Sequence, residues 1–300
     1  MPPHRPERPP DQPAPTAAGF DAVFSAVPAS PGLKRAWQLA IPELPPGIEP
    51  FSFVSLGLLR HVAHALNLAP GQTLVDLGCG GDGPGLWLAR TTNVSLVGVD
   101  FSPVAVEQAT QRAALFGLAG RARFVVGDLT DTGLPGHSAD AAVSVDAFHF
   151  AADPPAAAAH ARQLLRPGAR LVLTNWQPRH PGDRRLPARA RIDWPPLLRA
   201  AGFTDIDMAE QPGWHALWTR VYQVALDLGD PGDDTAPADL QDEARRRLPL
   251  TGLSRRVVVT ATSGRLPKPP ATETEGNNRE MTAPPGIGCA SLDRSWGETG

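Results

Sequence analysis

From residue 73 to residue 209, short β-branched or leucine-rich runs, each closing on glycine or aspartate, alternate with alanine-rich stretches of helical spacing. Strands joined by helix-length crossovers lie side by side in parallel, so this alternation limits the chain to α/β units on a mostly parallel sheet. The runs predict strands over Thr73 to Leu77, Ser95 to Asp100, Ala122 to Gly127, Ala139 to Val145 and Arg170 to Trp176, with a sixth near Asp205 to Ala209 and a seventh at Arg256 to Thr260. Ser102 before Pro103 and Asp153 before Pro154 pair a capping side chain with proline at the first helical position, and each marks a helix start. The expected class is α/β: a Rossmann-like, doubly wound, seven-stranded sheet with helices on both faces.

Outside this region the composition shifts. Residues 1–18 and 264–300 are polar and proline-rich, and read as disordered tails around one domain over 19–263. Phe51 to Leu66 has apolar residues on one helical face and is expected to pack on the sheet or close over it. The acids and turn residues from Gly229, followed by a short basic helix, predict an exposed insertion before the last strand. A formal charge of -3 leaves no electrostatic footprint for nucleic acid or an anionic membrane. Two cysteines, Cys79 and Cys289, supply neither a disulfide framework nor a zinc site. With no signal-like or membrane-length apolar run, the expected location is cytoplasmic and the expected partner a small molecule.

The chemistry concentrates in VDLGCGGDGPG, Val75 to Gly85. Glycines there permit positive φ and let a ligand approach the backbone, while the helix beginning near Pro84 presents free N–H groups. A phosphate loop would need a GK[ST] ending, which is absent, but Gly78, Gly80 and Gly83 do satisfy GxGxxG, so a dinucleotide and an NAD-dependent oxidoreductase remain open. Asp76 argues the other way: a carboxylate at that strand end repels diphosphate and suits an ammonium group. Asp100 closes the second strand, where it can accept from ribose hydroxyls, and Asp128 closes the third, facing an exocyclic amine. Amine, ribose and adenine in that order describe S-adenosylmethionine.

With VGVDFS, VVGDLTDTGLP, SADAAVSVDAFHF and LLRPGARLVLTNW, the glycine turn resembles class I S-adenosylmethionine-dependent methyltransferases, in the small-molecule branch related to quinone and natural-product methyltransferases; the likeness runs from about Phe51 to Ala209. It implies that Asp76, Gly78, Cys79 and Gly80 face the methionine end, Asp100 and Phe101 the ribose and adenine, and Asp128 and Leu129 the adenine edge. It also implies lid helices within 19–70, a cofactor-binding core over 71–177 and an acceptor side over 178–263. Asp82 departs from the family's usual glycine and reads first as a cap for the helix at Pro84, second as another acid near the cofactor's amine. Asp146 leans toward the cofactor.

Methyl transfer from a sulfonium mainly needs alignment and exclusion of water. His149, in VDAFHF, is the candidate base for a hydroxyl or amine acceptor, its alternative being a histidine donating to a neighbour. Relatives that pair such a histidine with a carboxylate have it where Asn175 stands; an amide takes no proton, but it can orient a substrate. The loop PRHPGDRRLPARAR, Pro178 to Arg191, carries five arginines and reads as solvated, with closure over an acidic substrate as its second reading. Trp176, Trp194, Trp214 and Trp218 fall where the resemblance places the acceptor pocket. Macromolecular methylation is disfavoured, because DAFHF replaces the [ND]PP[YFW] pattern after the fourth strand. Cofactor binding without turnover stays open.

Overall fold

The computed structural model describes residues 16–48 and 53–264. Seven strands form one sheet: β1 Thr73–Leu77, β2 Ser95–Asp100, β3 Ala122–Val126, β4 Ala139–Val145, β5 Leu165–Pro178, β6 Phe203–Glu210 and β7 Ser254–Ser263. Their order is β3-β2-β1-β4-β5-β7-β6. β1 to β5 run parallel, and β7 is antiparallel to both of its neighbours. β5, β6 and β7 exceed their predicted lengths, because β7 pairs continuously with β5 from Arg170↔Thr262 to Pro178↔Ser254 and carries β6 on its other side. Ladder bonds hold strand ends that a composition rule assigns to loops.

The helices are α1 Ala17–Ala26, α2 Pro31–Ala40, α3 Leu56–Leu66, α4 Gly83–Thr92, α5 Pro103–Ala113, α6 Pro154–Leu164, α7 Trp194–Ala200, α8 Pro212–Asp227 and α9 Thr235–Arg247. Ser102 and Asp153 cap α5 and α6 as expected, accepting from Ala105 N–H at 3.1 Å and Ala156 N–H at 3.0 Å. The two-residue alternation of β1 sends Leu74 to one face and Val75 and Leu77 to the other. α3 and α4 cover the Leu74 face and α6 and α7 the Val75 face. A third core forms off the sheet, where Leu33 and Trp37 of α2 meet Trp218 and Tyr222 of α8 and Leu240 and Ala244 of α9.

Several expectations change. α1 begins at Ala17, two residues inside the stretch read as a tail, because Thr16 caps it by accepting from Gly19 N–H. Residues 1–15 and 265–300, including Cys289, lie outside the described residues. α3 starts at Leu56, capped by Ser55; it is packed into the sheet core through Leu58, Leu59, Val62 and Leu66, so it is a layer of the sandwich and not a lid, while Phe51 and Ser52 lie outside the described residues. In the segment expected as an exposed insertion, Gly229, Asp230, Gly232 and Asp233 are exposed, but the part that follows is anchored. Asp234 accepts from Ser30 Oγ at 2.7 Å and Gly32 N–H at 3.1 Å, tying α9 to the start of α2, and Ala236, Leu240 and Ala244 bury one stripe of α9.

Candidate functional site

Ligands of doubly wound sheets collect beyond the carboxyl ends of the strands, where the order reverses. Here that point lies between β1 and β4, and a cavity of about 360 Å³ opens there, within the range of small-ligand sites. It joins the glycine turn after β1 to an aromatic chamber after β5.

The glycine-turn half is built from strand ends. Gly78 has φ +74 and Gly80 φ +53, and a Cβ on Gly78 would stand 2.6 Å from Ala147 Cβ, so only glycine passes between the ends of β1 and β4. Asp100 accepts from Gly80 N–H at 2.8 Å through one oxygen and from Ser102 N–H at 2.9 Å through the other. These bonds fix the carboxylate at the cavity wall and leave each oxygen a lone pair for a hydroxyl. Asp128 accepts from the backbone and the hydroxyl of Thr130 through Oδ1. Asp76, Cys79, Phe101, Asp128 and Leu129 all line the same space. Cys79 is buried, its thiol pushed well up by burial and by three neighbouring aspartates, which makes it a packing group.

Asp76 and Asp82 are buried together behind Gly85, where a Cβ would come within 2.5 Å of Asp76 Oδ2 and 2.1 Å of Asp82 Oδ1. Burial first, then the neighbouring carboxyl, raises Asp76 well above the usual range; burial lifts Asp82 to about 7. Two carboxyls in one dry space cannot both ionise cheaply, so they share a proton. Apart from that proton, Asp76 Oδ1 and both Asp82 oxygens are buried without a hydrogen-bond partner among the described residues. Asp82 occupies the cap position of α4 in left-handed backbone (φ 49), so the expected cap is met in place but not in bonding: its side chain closes no bond to the helix end, although the α4 N–H groups of Leu86 and Gly85 pull its pKa down. The residues therefore fit S-adenosylmethionine: an orphaned buried carboxyl at the mouth of β1, a fixed carboxylate at β2, and a glycine passage between them.

α1 closes this half. Phe20 packs on Phe101 and Phe150 with ring centroids 5.4 Å from each, and Phe24 reaches Gly80. Ser102 Oγ donates to Asp21, and Gln108 Nε2 donates to Phe24 O at 2.8 Å, so α5 straps α1 in place. Neither phenylalanine was legible as functional, because GFDAVF reads as a short polar-flanked stretch beside a tail.

The second half is lined by His149, Asn175, Trp176, Trp218 and Tyr222, joined by Arg189, Glu243 and Arg247. His149 Nδ1 has no partner among the described residues, and burial with the charges of Arg189, Arg256 and Arg247 holds the imidazole neutral, its pKa pushed down to about 3. Asn175 is buried, its Oδ1 accepting from Trp176 N–H at 2.8 Å and its Nδ2 unpartnered among the described residues. Trp176 and Trp218 form the walls, whereas Trp194 and Trp214 lie in the two sheet cores. From the basic loop, Pro187, Arg189 and Ala190 reach the cavity, while Arg184 and Arg185 are exposed.

Asp146 lines the cavity, yet its carboxylate is already committed. Arg256 Nη2 donates to its two oxygens at 2.7 and 2.6 Å, and Thr174 Oγ1 donates at 2.7 Å. A carboxylate neutralised by a buried arginine has little left for an ammonium, so the lean toward the cofactor gives way to a strut between β4, β5 and β7. Arg256 is fully buried and lies 4.0 Å from the Trp176 ring centroid, steering that wall. Sequence reasoning missed Tyr222, Glu243, Arg247 and Arg256; the spacing of Ala236, Leu240 and Ala244 was the available signal that α9 packs.

Residues 75–173 match a family model described as a methyltransferase domain. A sterol 24-C-methyltransferase of Aspergillus fumigatus is 28% identical over 144 residues, covering 48% of this chain and 38% of that one. An O-methyltransferase of Penicillium expansum is 32% identical over 164 residues, covering 51% and 59%. The chain thus spans less than two thirds of the length of these relatives. Among solved structures, the [4+2]-cyclase SpnF shares the fold at a TM-score of 0.66 and 22% identity, over 84% of this chain and 98% of that one.

Proposed function

We propose that this chain, a member of the class I S-adenosylmethionine-dependent methyltransferases, transfers a methyl group to a small-molecule acceptor bound in the aromatic half of its cavity. The observation that carries the reading is the continuity of one cavity from Asp76 and Asp100 to Trp176 and Trp218. When bound, S-adenosylmethionine supplies a methyl group on a cationic sulfur. Asp76 receives its ammonium group, Asp100 the ribose hydroxyls, and Asp128 with Leu129 the adenine edge, while Gly78, Cys79 and Gly80 give the backbone its close approach.

The chain's remaining work is orientation and exclusion of water. Phe20 and Phe24 on α1, with Phe53, close the top of the cavity. Asn175 Nδ2 and Trp176 Nε1 hold the acceptor, and His149 Nδ1 is placed to accept its proton. A diphosphate cofactor is disfavoured, because the acidic side chains of Asp76, Asp100 and Asp128 line the space it would enter. Acting in the cytoplasm, as a protein without nucleic-acid or membrane partners, remains part of this reading; no helix among the described residues is long and apolar enough to cross a membrane.

A second reading, in which the cofactor is held without turnover, rests on Asn175: its amide takes no proton where a carboxylate would be needed to pair with His149. Calorimetry with S-adenosylmethionine and NAD, followed by incubation with a metabolite extract, separates the possibilities. We expect S-adenosylmethionine to bind, and S-adenosylhomocysteine to appear together with a product heavier by one CH₂. Binding of NAD alone overturns the family's cofactor here; cofactor binding with no methylated product favours the second reading.

A further inference from the structure

We propose that seating the cofactor's ammonium group on Asp76 expels a proton from the buried Asp76–Asp82 pair to solvent, and that Asp82 is the positioning residue that keeps this proton until the cofactor arrives. This rests on the methyl-transfer reading above, in which Asp76 receives the ammonium.

The geometry of the pair comes first. A single point, the place of a Cβ on Gly85, lies 2.5 Å from Asp76 Oδ2 and 2.1 Å from Asp82 Oδ1. The two oxygens are therefore no more than about 5 Å apart, within the range at which one carboxylate opposes the ionisation of another. Both side chains are buried. Apart from a proton held between them, Asp76 Oδ1 and both Asp82 oxygens have no hydrogen-bond partner among the described residues. Two full negative charges in that space would be neither solvated nor paired, so the pair keeps a proton that exposed carboxyls give up.

The groups facing the pair set the sign. Asp100 from β2 adds negative charge beside Asp76, and Asp21 of α1 acts in the same sense on Asp100. Cys79 of the glycine turn is held as a neutral thiol. The N–H groups of Gly85 and Leu86 in α4 and the charge of Arg112 in α5 favour an ionised Asp82, but burial outweighs them. Asp76 lines the large cavity, whereas Asp82 lines a small hollow beside it with Phe24 and Cys79, so an entering cation meets Asp76 directly and Asp82 only through it. A positive charge against Asp76 favours its carboxylate. The O–H bond breaks, its electron pair stays on the carboxylate oxygen, and the proton passes to water. One unit of positive charge enters as another leaves, and the dry space keeps its net charge. Glycine at position 82, usual in the family, would leave Asp76 without the neighbour that holds the proton.

The test is calorimetry of the full chain with S-adenosylhomocysteine and with 5′-methylthioadenosine, which keeps the adenine and ribose but has no amino-acid tail. Each titration is run in phosphate and in imidazole, whose different ionisation enthalpies report the protons exchanged. At pH 6.5 the free ligand's α-amino group, with an ordinary pKa of about 8, is already charged, so a released proton comes from the protein. We expect S-adenosylhomocysteine to release about 0.5 to 1 proton, and its affinity to rise about three- to tenfold between pH 6 and pH 7. 5′-Methylthioadenosine should show neither effect, which separates the pair from Asp100 at the ribose. Asp82→Asn should lower the release at pH 6.5 to less than about half, while its unchanged affinity for 5′-methylthioadenosine reports that the variant is folded. Equal proton release with both ligands, an affinity for S-adenosylhomocysteine that stays flat from pH 6 to pH 7, or full release in Asp82→Asn would each overturn the proposal. Failure of S-adenosylhomocysteine to bind at any pH removes the methyl-transfer reading itself, a result distinct from those three.

Discussion

Asp82 stands where the family usually has glycine, and replacing it with asparagine gives a measurable consequence. The carboxyl is buried and its pKa rises from 3.8 to about 7, first through burial. A group whose folded pKa lies above its unfolded one stabilises the fold fully below the unfolded value, and that contribution is lost as pH rises through the folded value. Integrated across about three units, the loss approaches about 4 kcal/mol above pH 7, of which about 2 to 3 kcal/mol falls between pH 5 and pH 8. Asparagine stays neutral throughout and tolerates the left-handed backbone of this position, so Asp82→Asn removes the titration and keeps the turn. For a domain of this size the gap in Tm between variant and parent should widen by about 5 to 10 °C between pH 5 and pH 8, the variant being the more stable. Scanning calorimetry of the cofactor-free protein across that range measures it. A gap that stays constant with pH, or a parent that gains on the variant at pH 8, would refute the shared-proton account of Asp76 and Asp82.

Three further outcomes follow from other parts of the cavity. Arg256→Met leaves Asp146 buried without its partner and should cost about 3 to 5 kcal/mol in urea unfolding, part of which returns in the double variant with Asp146→Asn; equal losses in single and double variants would contradict the strut. Because His149 is held neutral with a pKa near 3, its ionisation should leave no limb in kcat/KM between pH 5 and pH 8, whereas His149→Ala should lower kcat about a hundredfold; a limb near 6.5 that vanishes in the variant would show that the imidazole is freely titrating. Asp100→Asn keeps the side chain's size but offers an N–H₂ where a backbone N–H now donates, so S-adenosylhomocysteine affinity should fall about tenfold or more by calorimetry, and unchanged affinity would remove Asp100 from the ribose site.

Local rules reach as far as local causes do. Strands β1, β2 and β4 begin and end where their runs do, each paired on both sides with parallel strands. The caps Ser102 and Asp153 are legible because a cap is a contact of three residues. The strand-end residues Asp76, Asp100 and Asp128 converge on one cavity because parallel pairing brings sequentially distant strand ends to a common edge. What stayed hidden depends on contacts between distant segments. Asp234 looks like a loop acid until Ser30, 204 residues away, donates to it. Arg256 sits inside a β-branched run as an apparent surface residue, and only the pairing of β7 against β5 buries it beside Trp176 and Asp146. Asp146 was misread for the same reason: its partner lies 110 residues downstream.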